Sequence, residues 1–522
     1  MPRAIIAVSA LGAVLYLGAA VWLARLERGG PAHADVMIEG GIPGTIYLPD
    51  PDDGSRPFVD VTGRSSRPPV VLLTHGFAFD RQGLSGLART LARSGYAVLA
   101  IDLQGHGQNR NPYRRSRGRG DSFHGDVSAA IDHLRSSPHV DGSRIVVMGH
   151  SMGAGAVLDY ATRDSGIDGV VLISGGAVLE GPYRPPNALF LVAEADPPLI
   201  RERSTALAAH IAGEATLELA RTYGRPDRGT AVRLVNVPGA NHIDILWNDA
   251  AAAEIVTWLD AIFSLPGAAD RAPRDSRLAA VGLLWLALLL QLPGLGEIVG
   301  RIAPGPLVAP SSRGASGLVA LALGFAAAMP LVATDSPAVL LSIDVGDVVI
   351  GTLALCGVLL LVAMRLRWGT AAGEIAAGGR RTFLAAAVAL VAIYALTVPT
   401  GVAIHRWTFT PERAAIFGGC ALFLLPFTAA FQLLLRGGTL AEAAAWCAGG
   451  RLLVLAALWV GVRLGLFAPV VGLILPVLVL VFVLIEVLAA SIYGRSRNRG
   501  AIALIEAGWV ALIMAASLPV RV

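Results

Sequence analysis

The sequence predicts an α/β domain built on a mostly parallel sheet, preceded by one transmembrane helix and followed by an all-α transmembrane bundle. Three observations carry that prediction. Short, near-continuous apolar runs alternate with helix-like segments between residues 35 and 265. A hydrophobic content of 54% with only 15% charged residues is too apolar for an ordinary globular protein. The charge is also unevenly spread, since residues 297–521 hold 24 of the 80 charged side chains.

At the N-terminus, residues 4–24 (AIIAVSALGAVLYLGAAVWLA) form an uncharged run of the length that crosses a bilayer as a helix. The rival is a cleavable signal peptide with an A-x-A site in PAHA, 31–34, but the apolar run exceeds a normal signal core. A retained anchor over residues 1–30 is the expectation.

Between 35 and 265, six runs read as buried strands: VVLLT (70–74), AVLAI (97–101), IVVMG (145–149), VVLIS (170–174), LFLVAE (189–194) and VRLVNV (232–237). Strands apolar at every position are covered on both faces, and helix-like segments such as GLSGLARTLARSG and DVSAAIDHLRSS supply the cover, so the sheet should be parallel. A Pro/Arg/Asp-rich linker follows at 266–277. Eight apolar spans are expected in 278–522, near 278–297, 315–333, 348–364, 382–404, 414–435, 451–468, 470–493 and 501–520. The short LFAP connection between the sixth and seventh implies a tight helical hairpin.

Arginine placement orients this bundle. The loops with Arg365, Arg367, Arg380 and Arg381 and with Arg495, Arg497 and Arg499 are four spans apart, which puts them on one face, expected to be cytoplasmic. The segment with Asp335, Asp344 and Asp347 falls opposite, and two more spans back set the α/β domain on that outer face. Arg25 and Arg28 argue mildly the other way. A bacterial plasma membrane with the α/β domain extracytoplasmic is the expected location.

The net charge of +4 comes entirely from arginine over acid, with no lysine in the chain, which fits a compositional bias and excludes a nucleic-acid-binding character. Cys356, Cys420 and Cys447 fall in apolar stretches without paired spacing, so neither a disulfide framework nor a metal site is expected.

The chemistry concentrates around GHSMGAG, 149–155. G-x-S-x-G alone means little among 60 glycines, but here Ser151 follows a predicted strand and precedes a helix. A sharp strand-to-helix turn needs small neighbours and lifts the hydroxyl above the sheet, and the helix N-terminus favours developing negative charge. A serine hydroxyl also needs a base, and the base an orienting acid. His242, in the loop after the last strand, supplies the base. Asp196, after LFLVAEA and before Pro197 and Pro198, supplies the acid in preference to Glu194; no carboxylate directly follows the preceding strand at ISGGAV.

With LLTHGFAFD (72–80), AIDLQGHGQN (100–109), GHSMGAG, AEADPP (193–198) and PGANH (238–242), residues 68–262 resemble the α/β-hydrolase superfamily. The resemblance is nearest to capless or short-capped esterases, dienelactone-hydrolase-like proteins and the serine-aminopeptidase/monoglyceride-lipase group. It implies triad roles for Ser151, Asp196 and His242, and an oxyanion hole from the backbone N–H groups of Phe77 and Met152, with no cofactor or metal. His75 and His106 then read as structural, and His124 and His150 lie outside the loop of the base. About fifteen residues between ISGG and LVAEAD leave no room for a helical cap there, so the acyl pocket is open or covered by something else.

Hydrolysis of carboxylic esters, including lipid esters, is the expected activity, with membrane lipids as neighbours and no indication of oligomeric state. Peptide cleavage, or a transport or sensory protein with a non-catalytic hydrolase-like domain, are the alternatives. The arginine-rich run 109–121 reads as a solvated loop or an anion contact. In the membrane half, Asp344, Asp347, Arg463, Glu486 and Glu506 stand where ionisable groups are costly, and a pairing of Arg463 with Glu486 is one expectation.

Overall fold

The computed structural model describes residues 3–49, 67–114, 121–176, 179, 184–265, 275–307, 310–333, 341–369 and 379–521. Asp335, most of the 266–277 linker and Arg115, Arg117 and Arg119 of the arginine-rich run lie outside the described residues. The chain divides into two compact units. One comprises Trp22–Ala280, Gly401–Arg406 and Pro519–Val522; the other comprises Met1–Val21, Val281–Thr400 and Trp407–Leu518.

The first unit is built on a sheet of nine strands among the described residues: β1 (Ala32–Ile38), β2 (Ile42–Leu48), β3 (Pro69–Thr74), β4 (Ala97–Ile101), β5 (Asp141–His150), β6 (Gly169–Ile173), β7 (Ala188–Ala193), β8 (Thr222–Tyr223) and β9 (Val232–Val237). Their order across the sheet is β1-β2-β4-β3-β5-β6-β7-β9-β8. The run from β4 to β9 is parallel, and β1, β2 and β8 are antiparallel additions at the two edges.

The six expected strands are the six parallel ones. The β1–β2 hairpin was not among the expectations because β1 is mostly exposed and lacks their apolar continuity. Its turn contains Gly40 and Gly41, both at positive φ (79° and 76°), where side chains are strained.

Alternation along each strand explains the apolar runs. On β3, Val70 and Leu72 join one core with Val127, Ile131 and Leu134 of α3 (Asp121–Ser136) and Val157 of α4 (Met152–Ala161). Val71 and Leu73 join the opposite core with Leu87 and Leu91 of α2 (Ser85–Arg93) and with Ile255 and Leu259 of the helix Asp249–Phe263. Both faces are therefore buried, as a crossover-built parallel sheet requires. The segment 519–522 contributes to this unit as well: Tyr113 N–H donates to the Val520 carbonyl at 2.7 Å, and Val520 N–H donates to the Gly105 carbonyl at 2.8 Å.

Nine helices among the described residues are long and apolar enough to cross a membrane. They are α1 (Arg3–Arg28) and, after α5 (Pro198–Ala212) and α6 (Asp249–Phe263) of the α/β unit, α7 (Arg277–Ile302), α8 (Gly314–Ala333), α9 (Gly346–Trp368), α10 (Gly379–Thr397), α11 (Pro411–Leu435), α12 (Leu440–Arg463), α13 (Val470–Ser496) and α14 (Arg499–Ser517). The protein is a membrane protein on this pattern of apolar helices.

Two expectations about the bundle are corrected. The sixth span does not begin at 451: α12 starts at Leu440, with Thr439 and Glu442 forming a capping box, so Arg451 lies mid-helix. Nor does Arg463 pair with Glu486, since the Arg463 guanidinium stands over the Trp459 ring at 5.5 Å. Glu486 instead accepts from Arg436 at 2.8 and 2.7 Å and from Arg451 at 3.3 Å. The ring closes through Arg451 to Glu506 (2.8 Å), Gln432 to Glu506 (2.7 Å) and Arg436 to Gln432 (2.5 Å). Two cations and two anions compensate one another, which is what lets an arginine sit inside an apolar helix.

Candidate active site

Ser151 stands between the end of β5 at His150 and the start of α4 at Met152. Its backbone is at φ 51°, ψ −112°, a conformation that costs about 1–3 kcal/mol in a non-glycine residue and persists only where the surroundings enforce it. The enforcement is close packing. A Cβ on Gly149 would overlap the Gly153 backbone, and one on Gly153 would come within 2.5 Å of the His75 carbonyl oxygen. Around Gly155 there is open space, so only the two glycines flanking Ser151 at two residues' distance are required by the turn. Ser151 N–H also donates to the Ile173 carbonyl at 2.9 Å, tying the elbow to β6.

The structure brings Ser151, His242 and Asp196 together. His242 Nε2 lies 3.0 Å from Ser151 Oγ, and His242 Nδ1 lies 2.6 Å from Asp196 Oδ1. A carboxylate can only accept, so Nδ1 carries the proton and the Nε2 lone pair faces the serine hydroxyl. The second Asp196 oxygen accepts from Ser174 Oγ at 2.7 Å and from the Ala193 N–H at 2.8 Å. Burial alone would raise the Asp196 pKa, but the hydrogen bonds from His242 and Ser174 hold it below the ordinary carboxylate range. Asp196 is therefore an anion beside the imidazole. Glu194 points elsewhere and accepts from the Gly239 N–H at 2.7 Å, shaping the loop that carries His242.

Two supporting residues were missed by sequence reasoning. Ser174, at φ 46° directly after β6, fills the strand-end position where no carboxylate stands and fixes Asp196 instead. His150 donates from Nε2 to the His242 carbonyl at 2.8 Å. Burial pushes its pKa down to about 3, with His242 beside it adding to the shift, so His150 stays neutral. Its position next to the nucleophile was the available signal for such a role.

Met152 directly follows the serine, and the turn that carries Phe77 approaches it at Gly76, where a Cβ would lie 3.2 Å from Ser151 Cβ. Met152 is the first residue of α4, so its N–H has no intrahelical partner and is free to face an anion. Phe77 follows Gly76, where a Cβ would lie 2.7 Å from His150 Nδ1. His75 donates from Nδ1 to the Gly76 carbonyl (2.8 Å) and accepts at Nε2 from the Leu103 N–H (3.0 Å), and burial holds it below the usual imidazole range. His106 Nδ1 is 2.9 Å from the Gln104 carbonyl, with its ring against the edge of Phe77 at 5.9 Å. His124 pairs with Asp159 at 3.3 Å. Among the described residues, no group of three or more His, Cys, Asp or Glu side chains is placed to hold a metal.

The sheet order, the crossovers and the serine elbow define an α/β-hydrolase domain. Residues 66–213 match the family model described as serine aminopeptidase, S33, a similarity that covers the middle of the α/β unit. The chain is 33% identical over 115 residues to a monoacylglycerol lipase of Mycolicibacterium smegmatis, covering 21% of this chain and 38% of that protein. It is 28% identical over 137 residues to an uncharacterized protein of Escherichia coli, covering 25% and 39% of the two chains. The chain thus spans well under half the length of these curated relatives. An esterase of Pyrococcus furiosus aligns over 45% of this chain and 94% of its own at 16% identity, with a TM-score of 0.32.

Proposed function

We propose that the protein is a membrane-resident serine hydrolase that cleaves carboxylic esters, lipid esters among them. The observation that carries this reading is the continuous hydrogen-bonded relay from Ser151 Oγ through His242 to Asp196. His242 Nε2 takes the serine proton as Oγ attacks the ester carbonyl. Asp196 keeps Nδ1 protonated and stabilises the imidazolium that forms. The N–H groups of Phe77 and Met152 receive the negative charge on the tetrahedral oxygen, an interaction worth about 3 kcal/mol per donor. His242 then returns its proton to the leaving alcohol, and a water deprotonated by the same nitrogen releases the acid from the acyl-enzyme. The monoacylglycerol lipase likeness and the nine apolar helices support a lipid ester as substrate.

The test is fluorophosphonate labelling of the detergent-solubilised full chain beside Ser151→Ala, with short and long p-nitrophenyl esters and an aminoacyl p-nitroanilide in parallel. Labelling and ester turnover should vanish in the variant, with long acyl chains preferred. Absence of labelling in a folded wild type would overturn the reading. Turnover of the anilide alone would replace esterase with peptidase.

A further inference from the structure

The turn that carries Phe77 runs from His75 to Asp80, and Ala78 within it sits at φ 58°, where alanine has no preference of its own. Something must hold it. On the N-terminal side, His75 does so through its bonds to Gly76 and Leu103. On the C-terminal side the partners come from Gly401–Arg406, a segment whose hydrogen bond to Asp80 spans 326 residues of chain. Asp80 Oδ2 accepts from the Arg406 N–H at 2.7 Å and lies 2.9 Å from His405 Nδ1, while Oδ1 accepts from the Gln82 N–H at 2.9 Å. Both Asp80 and His405 are buried. The His405 ring stacks on Phe79 at 6.4 Å, and Phe79 in turn meets Trp247 at 6.2 Å, in the turn 244–247 just past His242. Gly83 lacks a side chain where the Ile404 carbonyl arrives; a Cβ would lie 2.8 Å from it.

We propose that His405 is a positioning residue for the proposed hydrolysis, and that Gly401–Arg406 is a strap that sets the oxyanion turn. The inference rests on the serine-hydrolase reading above. His405 binds the turn twice, through its nitrogen to Asp80 and through its ring face to Phe79. Phe79 carries the same support to the loop of His242. Burial alone would raise the Asp80 pKa, but His405 and the Arg406 N–H pull it below the carboxylate range, so Asp80 is the anionic acceptor at this junction. The strap touches no reacting atom. It fixes the direction of the Phe77 N–H, and misplacement of a catalytic group by about 1 Å costs on the order of 100-fold in rate.

The experiment compares the full-length solubilised wild type with His405→Phe, which keeps the ring stack and loses the nitrogen, and with His405→Asn, whose amide restores a donor near Nδ1. For His405→Phe, kcat should fall about 10- to 100-fold with KM nearly unchanged, and fluorophosphonate labelling should slow in step. His405→Asn should recover most of that loss, which a merely structural residue would not do. Hydrogen exchange supplies a readout independent of turnover: amides 76–82 should exchange faster in His405→Phe while those of α3 do not. Unchanged kcat together with unchanged exchange would overturn the strap. If His405→Phe does not fold, Asp80→Asn removes the same pairing and is read in the same way. Loss of Ser151-dependent labelling in the wild type would sink the hydrolase reading alone, and the exchange data would still decide the strap.

Discussion

Asp196 and Glu194 stand two residues apart, yet only Asp196 reaches the imidazole, because the turn after β7 directs alternate side chains to opposite sides. Asp196→Asn should lower kcat by on the order of 10⁴, since an amide no longer enforces the Nδ1–H tautomer. Glu194→Gln should leave kcat within about twofold, as most substitutions away from buried networks do. Steady-state kinetics on a soluble ester measures both, and a larger loss in Glu194→Gln than in Asp196→Asn would reverse the assignment of the acid. At this scale the sequence was most informative about Ser151, because a turn too tight for side chains leaves glycines where it must. His242 and Asp196 were legible from their places after strands. Ser174 and His150 were not, since a serine and a histidine look alike in a sequence whether they support a neighbour or merely face solvent. Their roles arise from contacts across strands, such as the bond from Ser174 to Asp196.

Elements built on uninterrupted apolarity were equally legible. The parallel strands β3 to β7 and β9 came through because both faces are buried, whereas β1 is mostly exposed and leaves only a glycine turn as its mark. Helix α12 shows the opposite failure. Arginine is normally a boundary in a membrane span, but Arg451 is matched by Glu486 and Glu506 from two other helices, and a one-dimensional reading cannot see that compensation. Breaking it should be costly: Arg451→Met leaves the buried Glu506 and the half-buried Glu486 against one arginine, for a loss of about 3–5 kcal/mol. The pair Arg451→Met with Glu506→Gln restores the balance and should lose markedly less. Thermal unfolding in detergent would show this, and equal unfolding temperatures for the single and double variants would contradict an electrostatic lock among α11 to α14.

At the level of the whole molecule, the arginine-bearing loops at 365–381 and 495–499 set a sidedness that we propose as cytoplasmic. By span parity, the α/β unit, the segment 401–406 and residues 519–522 then all belong to the outer side. With the native cysteines replaced, Glu218→Cys should react with a membrane-impermeant maleimide on intact cells, while Arg380→Cys should react only after permeabilisation. The reverse pattern would invert the topology. The strap also gives the protein a schedule. Residues 22–280 leave the ribosome about 120 residues before 401–406 are made, a gap of about 6–24 s at ordinary synthesis rates. During that interval the serine, histidine and aspartate already exist, but the turn beside them lacks its fastening. If the strap acts as proposed, the α/β unit reaches its full rate only after four more apolar helices have followed it out.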